Sequence, residues 1–195
     1  MKSFVVAGLS ALLLTVSGCS FTPEKSPTPR LHDLGPLPSG AEYLPMPWSA
    51  VDVTAPEWLK NDRIHYRLVY SDSTRVGVYT LDRWVAPPSE LLALRFGTSG
   101  DGGPLRVRIE LQAFEQIFEQ PDSAKAVMRF RVSVHELRSR NRLAERTFEL
   151  STISPSPDAA GAVVSLADLA DDAIERVRLW IEGTDLVNEP SARPR

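Results

Sequence analysis

Three runs of alternating apolar and polar residues follow one another between residues 105 and 152, and they constrain the fold more than any other feature of the chain. The apolar side of the first run consists of Leu105, Val107, Ile109, Leu111 and Ala113. The second run covers 126–135 and the third covers 143–152, with short polar turns between the runs. A period of two residues is typical of a half-buried β-strand, and short turns favour antiparallel neighbours. The sequence therefore predicts an antiparallel meander with one packed face and one face in water.

A long amphipathic helix is predicted after the meander and a short helix before it. Apolar residues recur at helical spacing over 160–182, and Gly183 is suited to end that helix. Ser89 is expected to cap the short helix, over 90–96. The remaining strands are predicted from alternating runs at 51–53, 64–70 and 76–84. This order predicts a single α+β domain, in which a largely antiparallel sheet carries the short helix and the long C-terminal helix on one face.

The N-terminus has the pattern of a bacterial export signal. Lys2 precedes an apolar run that is too short to be a permanent membrane span. Small residues then lead to Cys19, the only cysteine, in an arrangement that resembles a lipobox, where lipoproteins are acylated and then cleaved between Gly18 and Cys19. A lone cysteine in an exported protein has no partner for an internal disulfide. We expect residues 1–18 to be removed and Cys19 to carry acyl chains such as palmitate. The alternative is a plain signal peptide in which Cys19 is an ordinary small residue.

The segment after Cys19 is rich in proline. Seven prolines within 19–47 block regular helix and sheet, so this segment is predicted to be an extended tether, of which even ten residues would hold the domain roughly 30 Å from the membrane. Within it, residues 31–35 are read either as a short edge strand or as an irregular loop. The domain itself is predicted over 48–183, and residues 184–195 are predicted to be a disordered tail.

Composition and motifs argue against several classes of function. The chain has 22 basic and 25 acidic side chains, and this weakly acidic balance disfavours nucleic-acid binding. The histidines His32, His65 and His135 fall on different predicted elements, so we expect solvated or locally bonded side chains and no metal site. A solvated face explains the glutamates that could be taken for a catalytic pair: Glu110, Glu115 and Glu119. Since no nucleophile or phosphate-loop motif is present, neither an enzyme nor a cofactor is predicted.

Four arginines are predicted on the wet face of the meander: Arg106, Arg108, Arg129 and Arg131. Like charges that lie opposite one another in a sheet repel, so the cluster is compatible with an acidic partner such as phospholipid head groups. The alternative, which we favour, is cross-strand pairing with three carboxylates: Glu110, Glu145 and Glu149.

One stretch of the chain resembles a known family. It comprises Leu81-Asp82-Arg83-Trp84-Val85-Ala86-Pro87-Pro88, followed by the apolar Leu91-Leu92-Ala93-Leu94 and later by Phe114-Glu115. Together with the lipobox and the long final helix, these residues are similar to the ABC-type transport auxiliary lipoproteins, the Pqi-type family that accompanies MCE proteins. The resemblance covers roughly 30–182. Pro87-Pro88 departs from the family, in which many members have an acidic residue and one proline.

The resemblance implies a lipid-anchored, non-catalytic subunit of an intermembrane lipid transport system. It implies an MCE protein and its ABC transporter as partners, and it leaves direct contact with phospholipid and homo-oligomerisation open. By resemblance to lipoprotein sorting, Ser20 favours the periplasmic side of the outer membrane. The alternative is a structural lipoprotein of another envelope machine, for lipopolysaccharide or outer-membrane protein assembly. Arg83 and Trp84 are candidate contacts with partner or lipid, although we favour a packing role for them.

Overall fold

The computed structural model describes residues 27–37, 45–97 and 102–184. Within these residues seven strands form one sheet, and two α-helices accompany it. In chain order the elements are β1 (Arg30–His32), β2 (Trp48–Thr54), β3 (Arg63–Leu68), β4 (Val76–Trp84), α1 (Pro88–Gly97), β5 (Leu105–Gln120), β6 (Ser123–Glu136), β7 (Arg142–Ile153) and α2 (Ala159–Gly183). A 3-10 helix, Glu57–Leu59, lies between β2 and β3.

The long strand β5 organises the sheet. Along one side β5 pairs with β6, and β6 pairs with β7, which forms the antiparallel meander that was predicted. Along the other side β5 pairs with two strands: β2 is parallel to its first half, and β3 is parallel to its second half. Strand β4 then pairs antiparallel with β3, and β1 pairs in parallel with β4. The α+β class is confirmed, and the described sheet is mixed because three of its pairings are parallel.

Both helices cover the same face of the sheet, as predicted. Helix α1 packs on β2, where the rings of Trp48 and Phe96 lie 6.2 Å apart and the indole Nε1 donates to the Phe96 carbonyl. Helix α2 packs on β6 and β7, where Trp180 meets the edge of the Phe148 ring. The apolar residues of the alternating runs thus form one core between sheet and helices. None of the helices in the described ranges is long and apolar enough to span a bilayer.

A bulge in β5 overturns one predicted side-chain direction. Ala113 was expected to continue the apolar face of Leu111, but the register against β6 shifts between these two residues. Phe114 therefore enters the core instead, where its ring lies 5.8 Å from that of Trp84. One extra residue in a strand reverses the side-chain alternation beyond it, which a strict two-residue pattern does not reveal.

The domain begins earlier than predicted. Arg30–His32 form an edge strand, one of the two interpretations of this region, and Leu34 is buried in the core. Met46 is buried too, and its carbonyl accepts a hydrogen bond from Gly103 N at 2.9 Å. Residues 27–37 and 45–47, assigned to the tether from sequence, are therefore described as part of the folded unit. Cys19 and the tail 185–195 lie outside the described residues.

The helix starts follow different rules. Ser89 was predicted to cap α1, but the helix begins one residue earlier, at Pro88, and Ser89 lies inside its first turn. Proline suits the first helical position because its missing N–H would have no intrahelical acceptor there. Helix α2 has a side-chain cap: Asp158 Oδ1 accepts from Gly161 N at 2.9 Å. This hydrogen bond is the main reason that the pKa of Asp158 is lowered.

Candidate partner-binding face

The four arginines singled out from the sequence lie on the sheet face opposite the helices. Arg106 and Arg108 project from β5, and Arg129 and Arg131 project from β6, all with the opposite orientation to the buried residues of their strands. We call this surface the open face. A groove of about 400 Å³ crosses it, lined by Asp52, Thr54, Arg108, Ile109, Glu110, Arg131, Ser133 and Glu145. The groove is charged and polar because each strand alternates.

Each of the four arginines on the open face has a carboxylate beside it. Asp52 of β2 accepts from Arg106 at 2.8 Å and lies 3.8 Å from Arg108. Arg131 pairs with Glu110 at 3.4 Å, and Arg129 pairs with Glu149 at 3.5 Å. The cross-strand interpretation is thus the one the geometry favours, with Asp52 as a partner that the sequence did not suggest. Glu145, the third predicted partner, pairs with Arg142 instead, at 3.0 Å.

These exposed ion pairs stabilise the fold little, since solvent screens them. Their arrangement nevertheless places positive and negative side chains next to one another over the open face. A partner with complementary charges can exchange these internal pairs for intermolecular ones at small cost, and electrostatic complementarity of this kind contributes mainly to specificity and association rate. The open face is therefore suited to binding a polar partner surface.

The side chains of Arg83 and Trp84 point from β4 to opposite faces of the sheet. Trp84 is 1% exposed and packs against Phe114, so this indole is a core residue and does not contact lipid in the folded domain. Arg83 points to the open face, where its Nη1 lies 3.5 Å from Asp62. The packing interpretation of Trp84 agrees with this geometry, and Arg83 belongs to the open face.

A buried polar cluster lies at one end of the open face and was not foreseen. His65 and Glu115 are neighbours across the β3–β5 pairing, and both are about 95% buried. Glu115 was expected on a solvated face. His65 was expected to be solvated or locally bonded, but its buried Nδ1 has no hydrogen-bond partner within the described residues. The edge of the Trp58 indole covers His65, with ring centroids 5.4 Å apart. Glu115 Oε1 accepts from Arg67 at 3.1 Å, whereas Oε2 has no hydrogen-bond partner within the described residues. Burial, and secondarily the charge of Arg63, lowers the pKa of His65.

A second polar cluster fixes β1 to the sheet. Asp82 is 4% exposed and accepts two hydrogen bonds of 2.9 Å from the Arg30 guanidinium and one of 2.8 Å from His32 Nε2. The hydrogen bond from Arg30 is the largest cause of the lowered pKa of Asp82. His32 is therefore locally bonded, in agreement with the expectation for this histidine. His135 is also locally bonded, with Nδ1 3.1 Å from the Arg140 carbonyl.

Arg95 connects the N-terminal segment to both helices. This buried side chain of α1 donates to both carboxylate oxygens of Asp171 on α2, at 2.7 and 2.8 Å. It also donates to the carbonyls of Gly35 and Pro36, at 2.8 and 3.1 Å. The segment after β1 is thus held by a single cation that lies between the two helices.

The described residues contain no group of three or more metal-binding side chains in suitable positions. The glutamates Glu110 and Glu119, predicted on a solvated face, are exposed, whereas Glu115 is buried. The burial of Glu115 was not predicted, because the bulge after Leu111 shifts the side-chain alternation in the second half of β5.

Solved structures of other proteins have a similar fold. Neither a protein-family model nor a curated protein matches the sequence. Among solved structures, a Xanthomonas campestris protein described as a member of the family DUF330 superposes with a TM-score of 0.62 and 16% identity, covering 81% of this chain and 94% of that one. An uncharacterized protein superposes with a TM-score of 0.59 and 14% identity, covering 79% and 99% of the two chains. At such low identity the likeness concerns the fold alone: this chain shares the fold of a DUF330 protein over nearly the whole length of that structure.

Proposed function

We propose that this protein is a periplasmic lipoprotein of the outer membrane, anchored by acyl chains on Cys19, and a non-catalytic auxiliary subunit of an MCE-type, ABC transporter-driven lipid transport system. The observation that carries the proposal is the position of Cys19: it follows an export signal and comes only eight residues before Pro27, at the start of the described domain. Several acyl chains on one cysteine anchor a protein stably. The motif around Trp84 supports the specific family.

The open face is the surface that we assign to the transport partner. It presents arginines and carboxylates in alternation over β5 and β6, and the helices leave it uncovered. An MCE protein with matching charges is the partner proposed there. Contact of this face with phospholipid head groups is secondary, because each of the four arginines on β5 and β6 already has a carboxylate within 4 Å.

The experiment is an affinity purification of the full-length, lipidated protein from detergent-solubilised membranes, with partners identified by mass spectrometry. We expect an MCE protein together with an ABC ATPase and permease. The variant Arg106→Glu with Arg129→Glu is expected to reduce recovery of the MCE protein at least fivefold. Arg176→Glu is the matched control, because Arg176 is paired on the exposed side of α2, with Asp172 at 2.8 Å.

Three other outcomes would each contradict a different part of the proposal. Recovery of an outer-membrane barrel or a lipopolysaccharide-assembly component would replace the transport role with the alternative envelope role. Equal loss of the partner in the open-face variant and in Arg176→Glu would remove the open face from the proposal. A Cys19→Ser chain that still floats with membranes in a density gradient would contradict the lipid anchor.

A further inference from the structure

Exposed aliphatic side chains surround strand β1. Leu31 of β1, Val85 just after β4 and Val164 of α2 are 65%, 53% and 50% exposed. They line one shallow depression of about 420 Å³ on the outside of the domain, together with the aliphatic Val163 and Ala167. We call Leu31, Val85 and Val164 the β1 apolar surface. Clustered aliphatic side chains on a folded domain mark a contact surface more often than isolated ones do.

The chain reaches the β1 apolar surface from Cys19 by a short path. Cys19 is eight residues before Pro27 and eleven before Arg30. At about 3.3 Å per residue, even a fully extended chain separates Cys19 from Pro27 by no more than about 26 Å. A tether over the whole of 19–47 would have left the orientation of the domain free. The number of residues between Cys19 and the domain is much smaller than that, because the domain begins before residue 48.

The corner of the domain around β1 is also firmly attached. Arg30 and His32 donate to the buried Asp82, and Val85 N donates to the His32 carbonyl at 2.8 Å. The next turn is held by Arg95 through the carbonyls of Gly35 and Pro36. Any pull from the anchor therefore acts on this corner, and this corner is the part of the domain closest to the anchor along the chain.

We propose that the β1 apolar surface rests on the phospholipid bilayer that holds the acyl chains of Cys19, and that it thereby orients the domain. This inference rests on the proposed lipid anchor. Three aliphatic side chains bind a bilayer weakly by themselves, but a short tether gives them a high effective concentration at the membrane. The remote edge of the sheet, at Ile153, then points away from the bilayer, and the open face stays accessible to a partner.

The test uses the single cysteine of the chain to advantage. Because acylation consumes the thiol of Cys19, a cysteine introduced at Val85 or Val164 is the only one that a polarity-sensitive fluorophore can label. The lipidated full-length protein is reconstituted into vesicles of phosphatidylethanolamine and phosphatidylglycerol that contain a nitroxide-labelled phospholipid as quencher. Ile153→Cys is the matched control, since Ile153 is a highly exposed aliphatic residue at the opposite edge.

We expect the quencher to reduce the emission of probes at Val85→Cys and Val164→Cys at least threefold more than that of the probe at Ile153→Cys. Leu31→Asp is expected to bring quenching at Val164→Cys down to the Ile153→Cys level while the protein still floats with the vesicles. Equal quenching at all three positions in floating protein would overturn the inference and leave the anchor intact. Protein that does not float would overturn the anchor and the inference together. Crosslinks from these positions to a protein, with no lipid quenching, would assign the surface to a partner and also overturn the inference.

Discussion

Strands β1 and β7 lie at the two edges of the described sheet and are held in place by different interactions. Strand β7 is twelve residues long and pairs antiparallel with β6, and it is fixed by ring contacts under α2. Strand β1 has three residues, pairs in parallel with β4, and is fixed by hydrogen bonds between charged side chains. One edge is thus stabilised mainly by apolar burial and the other mainly by polar geometry.

The two edges also differ in what they offer to other molecules. On β7 the charged Arg146 points to the helix side and lies over the Phe148 ring at 5.0 Å, and charges at an edge strand discourage pairing with another chain. Beside β1 the exposed side chains are aliphatic, with Leu31 and Val85 prominent. The difference indicates that β7 is protected from association, whereas the β1 edge is suited to a contact.

The largest effect is expected from Phe148→Ala, which breaks the apolar edge. Phe148 stacks on Phe130 at 5.2 Å and meets Trp180 at 5.7 Å, so truncation leaves a cavity under α2. Loss of a buried phenyl ring costs about 3 kcal/mol or more in the free energy of unfolding. Urea denaturation measures this loss, and hydrogen exchange is expected to accelerate more in β7 than in β1. Leu143→Ala, at the exposed start of the same strand, is the control, with a change of about 0.5 kcal/mol or less. Equal losses would show that ring packing does not hold this edge.

Asp171→Ala is the corresponding change for the polar edge. It removes the carboxylate that accepts two hydrogen bonds from the buried Arg95, and it is expected to cost about 3 kcal/mol, because removing one partner of a buried ion pair is strongly destabilising. Hydrogen exchange is expected to accelerate around residues 30–37 before it does in β7. Asp172→Ala, one residue away, removes only an exposed pair with Arg176 and is expected to change stability by about 0.5 kcal/mol or less. A similar effect of the two aspartates would contradict the proposed role of Arg95.

The β7 edge could be predicted from sequence and the β1 edge could not, for a physical reason. Strands β5 to β7 alternate regularly and are joined by short turns, so local pattern determines their pairing. The β1 pairing depends on Arg30 and Asp82, which are 52 residues apart, and three residues contain too little pattern to identify a strand. The same limit explains the missed parallel pairings of β2 and β3 with β5, since no short connection predicts them.

The candidate site divides in the same way. Alternation placed Arg106 and Arg131 on the open face correctly, and it suggested Glu110 as a partner. Asp52 was missed because its position depends on the parallel β2–β5 pairing. His65 was expected to be solvated or locally bonded, yet the indole of Trp58 covers it from a 3-10 turn that has no periodic pattern.

A smaller effect is expected at the connection from β7 to α2. A Cβ on Gly161 would clash with the Ser156 carbonyl oxygen, which is a backbone atom of the turn that Asp158 closes. Gly161→Ala is therefore expected to cost about 2 kcal/mol in the free energy of unfolding, as overpacking does. Gly183→Ala is the control: a Cβ there meets no atom within 4 Å, and alanine favours helix, so stability is expected to be unchanged or slightly higher. Thermal unfolding of the two variants measures the difference, and a neutral Gly161→Ala would show that the turn can relax.

The smallest effect is the pH dependence due to His65, which lies between the two edges on β3. Burial and the charge of Arg63 lower the pKa of this imidazole, so near and just below the ordinary histidine pKa of about 6.5 the unfolded chain binds more protons than the folded one. His65 therefore contributes stability that is present above this pH and is lost as the pH falls. His65→Phe keeps a ring under Trp58 and is expected to reduce the fall in the free energy of unfolding between pH 7.5 and 5.5, measured by urea denaturation at each pH. If the free energy of unfolding of His65→Phe falls as much between pH 7.5 and 5.5 as that of the unsubstituted protein, burial under Trp58 does not make protonation of His65 unfavourable.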